Sequence, residues 1–187
     1  MASGSRPANV AILCPSGPFK PHNETGMRTE THIFDAGDQI PNNQSFPVII
    51  YRQVNSQPDT AAFEALFSRN GWTGIWRNGV FDYHHYHSGA HEVLGVGRGQ
   101  ATLQIGGADG QALEVTQGDC LILPAGTGHM RLKSSADFQV VGAYPPGQQA
   151  DIQTSAPTEE MRARIKSLPK PETDPVNGVS GGLVELW

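Results

Sequence analysis

Cysteine is nearly missing from this chain: there are two, Cys14 and Cys120, in 187 residues. They stand too far apart for a CxxC or zinc-ribbon site, and they are read as a reduced pair. Basic charge is also scarce. Thirteen Lys and Arg against eighteen Asp and Glu leave a net charge of −5. With no basic stripe to meet a phosphate backbone, a nucleic-acid partner is excluded. Long apolar runs are missing too. No segment approaches the roughly 20 apolar residues of a spanning helix. The opening MASGSRPANVAILCPSG falls short of the roughly 7 to 15 apolar residues of a signal peptide. The expectation is a cytoplasmic protein with no membrane partner.

Glycine and proline are plentiful, at 22 and 14 residues. They punctuate the chain at short intervals, as in many short strands joined by tight turns, and the fold class expected is all-β. The length fits one domain, and 37% hydrophobic residues suffice for one core. Residues 1–30 read as a loose arm, with VAIL as a possible short strand. Residues 31–187 read as a single domain with its core at about 72–145 and a C-terminal helix and strand at 157–187. THIFDAGDQIP and FPVIIYRQV read as strands. PDTAAFEALFSRNGW reads as a helix, capped by Asp59 or Thr60 and stopped by Asn70-Gly71. Trp72 to Tyr144 reads almost entirely as strand, including GVFDYHHYH. TEEMRARIKSL is a second helix, with Met161, Ile165 and Leu168 as its apolar face. LVELW reads as a last strand. Trp72 and Trp76 are expected to pack the first helix on the sheet, and Phe81 to join the core with Leu94 and Val96.

Four of the seven histidines fall within Phe81–Gly99: His84, His85, His87 and His91, with Glu92 directly after. On a strand, side chains alternate between faces. Phe81, Tyr83, His85 and His87 would then share one face. Two histidines at i and i+2 can reach one cation, Glu92 can join them from the next strand, and His129 is the remaining histidine of the strand region. Three imidazoles and a carboxylate suit Fe, Mn, Ni, Cu or Zn rather than Ca or Mg. Spacing alone leaves a metal site, a proton relay and a polar loop all open. His84 and His91 read as structural or as supports behind the ligands.

These residues also fall into two spaced motifs. Gly79, His85, His87, Glu92 and Gly99 match G-x5-H-x-H-x4-E-x6-G, and Gly118, Pro124, Gly126 and His129 match G-x5-P-x-G-x2-H-x3-N. Lys133 is the one departure, standing where the second motif has Asn. In these motifs the chain resembles the cupin superfamily, and in WRNGVFDYHHYHSGAHEVLGV, VVGAYPPGQ and LVELW a group of small single-domain cupins. The resemblance implies a double-stranded β-helix, the cupin jelly-roll barrel, with two or three peripheral helices. It implies metal ligands at His85, His87, Glu92 and His129 around one divalent transition metal. Four protein ligands would leave about two open positions on a six-coordinate metal, and the expectation is a metal-dependent enzyme: a dioxygenase-like oxidoreductase on a small anionic compound, alternatively an isomerase or lyase, or a non-catalytic binding barrel. Tyr83 shares the ligand face and could donate to a substrate oxygen. Arg131 and Lys133 share the parity of His129 and could hold a substrate anion. Single-domain cupins commonly pair, so a homodimer is expected.

Overall fold

The computed structural model describes residues 26–54 and 58–187. The VAIL segment, Cys14 and most of the expected N-terminal arm lie outside the described residues.

Among the described residues, nine strands form two antiparallel sheets. The larger sheet contains β1 (Arg28–His32), β2 (Val48–Arg52), β3 (Thr73–Asn78), β4 (Glu92–Arg98), β7 (Cys120–Leu123) and β9 (Gln139–Tyr144), in the order β1-β2-β7-β4-β9-β3. The smaller contains β5 (Gln100–Ile105), β6 (Gln111–Thr116) and β8 (His129–Ser134), in the order β6-β5-β8. The barrel therefore reaches back to Arg28 and takes in two strands before the expected 72–145 core.

Period-two alternation sorts the side chains. Leu94, Val96, Leu121, Leu123 and Val140 point into the barrel and meet Leu103, Ile105 and Val115 of the smaller sheet. Their neighbours Val93, Cys120, Ile122, Val141 and Ala143 point outward under helix α1 (Thr60–Arg69), against Phe63 and Phe67. That two-sided burial is why CLIL and EVLGV read as continuous apolar runs. Each fully buried Ile or Leu contributes roughly 1.5–3 kcal/mol. Gly95 is needed here, because a Cβ on it would lie 2.6 Å from the Phe63 ring.

Helix α1 starts where the sequence places it: the Asp59 carboxylate accepts from Ala62 N–H at 2.9 Å. Helix α2 (Glu159–Ser167) is capped by Thr158, whose hydroxyl accepts from Met161 N–H at 3.2 Å. LVELW is a correction. It is helix α3 (Leu183–Leu186), not a strand. A short apolar run fits either geometry, and only packing decides. The helix puts Leu183 into the outer core, while Trp187 stacks on Phe46 at 4.9 Å.

GVFDYHHYH is a second correction. Phe81 O accepts from Arg131 N–H at 2.8 Å, and His85 pairs with His129. Three residues, Asp82–His84, thus stand opposite Met130 alone. The surplus bows outward and breaks the alternation. Phe81 is 40% exposed, so it is not a core residue. The tryptophans divide as well. Trp72 is buried in the outer core with α1, as expected. Trp76 instead packs against the inner core and lines a cavity within the barrel. Its indole lies on Gly142, where any side chain would collide with it.

Candidate metal centre

His85, His87 and His129 converge inside the barrel, all buried, with one ring nitrogen of each within 4.8 Å of the others. Glu92 opens β4 on the inward face and is 2% exposed. Its Oε2 lies 3.2 Å from His87 Nε2 and 3.3 Å from His129 Nε2. Two donors held at right angles roughly 2.1 Å from one ion stand roughly 3 Å apart, so these spacings fit a shared cation.

The backbone sets the imidazole tautomers. His85 Nδ1 lies 3.2 Å from Tyr83 O, and His129 Nδ1 lies 3.0 Å from Thr127 O. His87 Nδ1 contacts Asp151 O. Carbonyls only accept, so each Nδ1 carries the proton and each Nε2 presents its lone pair to the interior. Among the described residues, His87 Nε2 and Glu92 Oε2 are buried and have no hydrogen-bond partner. Two buried acceptors facing each other need a positive charge between them, a proton or a metal ion. A divalent transition metal with nitrogen and oxygen donors satisfies both, so the residues fit the ion the motifs imply.

Charge attraction couples these groups strongly. Burial pushes the Glu92 carboxyl up, but His87 and His129 outweigh it and hold it well below the usual carboxylate range. Burial pulls His87 down, but Glu92 overrides this and raises it to about 9. Burial, with His129 beside it, lowers His85 to about 3.

His91 is separate. Its Nδ1 accepts from Ala125 N–H at 2.9 Å and its Nε2 donates to Pro169 O at 3.1 Å. Both ring nitrogens are engaged, and burial lowers it to about 4. It is a neutral strut between the barrel and the C-terminal segment. His84 is not among the convergent histidines.

The substrate candidates scatter. Tyr83 is 44% exposed, stacked on Phe81 at 4.9 Å, and does not line the cavity at the histidines. Arg131 pairs with Leu103, but a register break follows and Lys133 pairs with Thr102. The break flips Lys133 to the outside, where it lines a surface groove with Arg28, Arg52 and Glu114. Arg131 keeps the inward parity, and its Nη1 comes near Gly79 at the cavity edge.

Tyr144, which sequence reasoning passed over, lines the cavity beside the histidines. Its hydroxyl oxygen accepts from Trp76 Nε1–H at 2.9 Å. Burial and the Glu92 charge raise its pKa. Its parity with Val140 on β9 was the available signal. Asp151 was missed as well. Its carboxylate takes Ser88 N–H at 2.7 Å, Ser88 Oγ–H at 2.6 Å, Gly89 N–H at 2.8 Å and Gln153 Nε2–H at 2.8 Å. These bonds hold it below its ordinary value against burial, at about 2.

The two-sheet barrel, with three buried histidines and a glutamate at both motifs, is the arrangement that the resemblance to the cupins implies. No protein-family model matches the chain. It is 43% identical over 161 residues to the uncharacterised protein YjlB of Bacillus subtilis strain 168, covering 85% of this chain and 96% of the relative, and it belongs to the same family. Among solved structures it is similar to a cupin 2 domain-containing protein from Halorhodospira halophila, with 17% identity, a TM-score of 0.34, and 77% and 79% of the two chains covered. It is also similar to an acireductone dioxygenase from Bacillus anthracis with a cadmium ion in its active centre, with 20% identity, a TM-score of 0.32, and 50% and 59% covered. Overlaps of this extent carry no argument about activity.

Proposed function

We propose that this protein is a metal-dependent oxidoreductase of the dioxygenase kind, with His85, His87, Glu92 and His129 as the metal ligands. Its substrate is a small compound that reaches the metal through an acidic or ionisable oxygen. The observation that carries this reading is the tautomer set: three backbone-locked imidazoles aim Nε2 at one point beside an unpartnered Glu92 oxygen. A bound divalent ion there would polarise a substrate oxygen, and a redox-active one would also support reaction with dioxygen. The chain's own contribution is positional. Trp76 holds the Tyr144 hydroxyl beside Glu92, where it would donate to a substrate oxygen. The proton on Tyr144 also favours a second reading, an isomerase or lyase that moves protons without a redox step.

Elemental analysis of the purified protein tests the proposal. The expected result is about one equivalent of Fe, Mn or Cu, falling at least about tenfold in His85→Ala and His87→Ala. Unchanged metal content in those variants would refute the ligand assignment. Stoichiometric Zn would turn the reading to isomerase or lyase chemistry.

A further inference from the structure

We infer that the pocket takes a compound with a single metal-binding oxygen head and an apolar body, and turns away compounds bearing a second charge, such as short dicarboxylates. Only the head rests on the metal-centre reading above. The body is read from the walls.

The cavity at the histidines has a volume of about 240 Å³, below the roughly 300–1,000 Å³ of drug-sized sites. Beyond the four donors its walls are mainly Trp76, Val80, Phe81, Leu94 and Ile152, with Asn78 and Tyr144 as polar members. Among the described residues no Lys or Arg lines it. Lys133 faces the outer groove, and Arg131 stops near Gly79. Asn78 Oδ1 is already used by Gly79 N–H at 2.8 Å. A second carboxylate would lose its water against apolar walls that carry no cation of their own, the Arg131 guanidinium reaching only the edge at Gly79.

The entrance repeats the pattern. Phe81 and Ile152 line the cavity yet stay 40% and 55% exposed, and Tyr83 extends the Phe81 face at 4.9 Å. Ile152 is not left outside by a loose backbone. Asp151 before it is held by the Ser88–Gly89 turn, and Gln153 after it pairs with Tyr86. An apolar rim presented to water by a pinned segment marks where an apolar body is covered.

The test uses cobalt-loaded protein, with the cobalt absorption bands and tryptophan fluorescence as readouts and benzoate and succinate as probes. Benzamide, the uncharged isostere of benzoate, is the probe for metal-free protein. Benzoate is expected to half-saturate at a concentration at least about tenfold below succinate. Ile152→Ala, at an exposed position, is expected to weaken benzoate several-fold and to leave succinate unchanged. Lys133→Ala is expected to change neither. Succinate binding as tightly as benzoate, or benzoate indifferent to Ile152→Ala, would overturn the inference. If no cobalt is taken up, the metal reading fails by itself. Benzamide then decides: quenching in wild type that weakens in Ile152→Ala supports the apolar body, and its absence overturns it.

Discussion

Three histidines of this chain serve one purpose and a fourth another, and the partner of each ring nitrogen decides which. His85, His87 and His129 each give Nδ1–H to a carbonyl and turn Nε2 to the interior, those of His87 and His129 toward Glu92. His91 has both nitrogens engaged and nothing left to offer. Asp151 couples this chemistry to the backbone. Its carbonyl holds His87, while its carboxylate collects four hydrogen bonds. An amide in its place offers one accepting oxygen and turns N–H toward N–H. Asp151→Asn is therefore expected to cost about 1–3 kcal/mol of stability and to weaken metal binding about 10–100-fold. Urea unfolding and chelator competition measure the two. Wild-type metal affinity in this variant would show that His87 is positioned without it.

Among the elements, two local irregularities shape the site. The surplus at Asp82–His84 carries Phe81 and Tyr83 to the rim, and the register break after Arg131 turns Lys133 away. Both follow from pairing with a partner strand, so neither is visible along one strand. The joint between β1, β2 and β7 rests on Arg52. It pairs with Glu30 at 3.1 Å and Asp119 at 3.0 Å, and donates to Glu114 O at 2.7 Å. Asp119 is 2% exposed, so removing its cation leaves a buried charge short of a partner. Arg52→Gln is expected to cost about 1–3 kcal/mol, read from the urea midpoint. Glu30 is held below its ordinary 4.5, first by the hydrogen bond from Arg52. Its contribution is present above pH 4.5 and is lost as pH falls through its lower folded value. Wild type should therefore lose stability below pH 4.5 more steeply than Glu30→Gln. Equal slopes in thermal melts would remove Glu30 from the acid response.

At the scale of the whole molecule, the C-terminal segment closes the outer core. The Asp174 carboxylate accepts from Tyr51 O–H, and from Leu183 N–H at 2.7 Å. Leu183 is 0% exposed, and the Trp187 ring lies 4.8 Å from His91. Removing residues 183–187 empties a packed site. It is expected to destabilise the protein by at least about 3 kcal/mol, measured by urea unfolding. An unchanged midpoint would mean that the segment only rests on the barrel. Strand β1 has a partner on one side only among the described residues, leaving a free edge. We propose that a homodimer covers this edge. Light scattering that gives a monomer at micromolar concentration would refute it.

The sequence by itself named, through the two motifs it shares with the cupins, the four donors that the structure brings together, although spacing alone left their purpose open. It also determined where α1 and α2 begin, since a cap bonds to a residue three positions away. Only the tertiary structure decided that Tyr144 rather than Tyr83 lines the cavity, that Trp76 lies inside the barrel while Trp72 lies outside, that Lys133 turns away, and that LVELW coils. In each case the outcome depends on a neighbouring strand or a distant packing surface. Alternation along one strand predicts a face only while its partner matches it residue for residue.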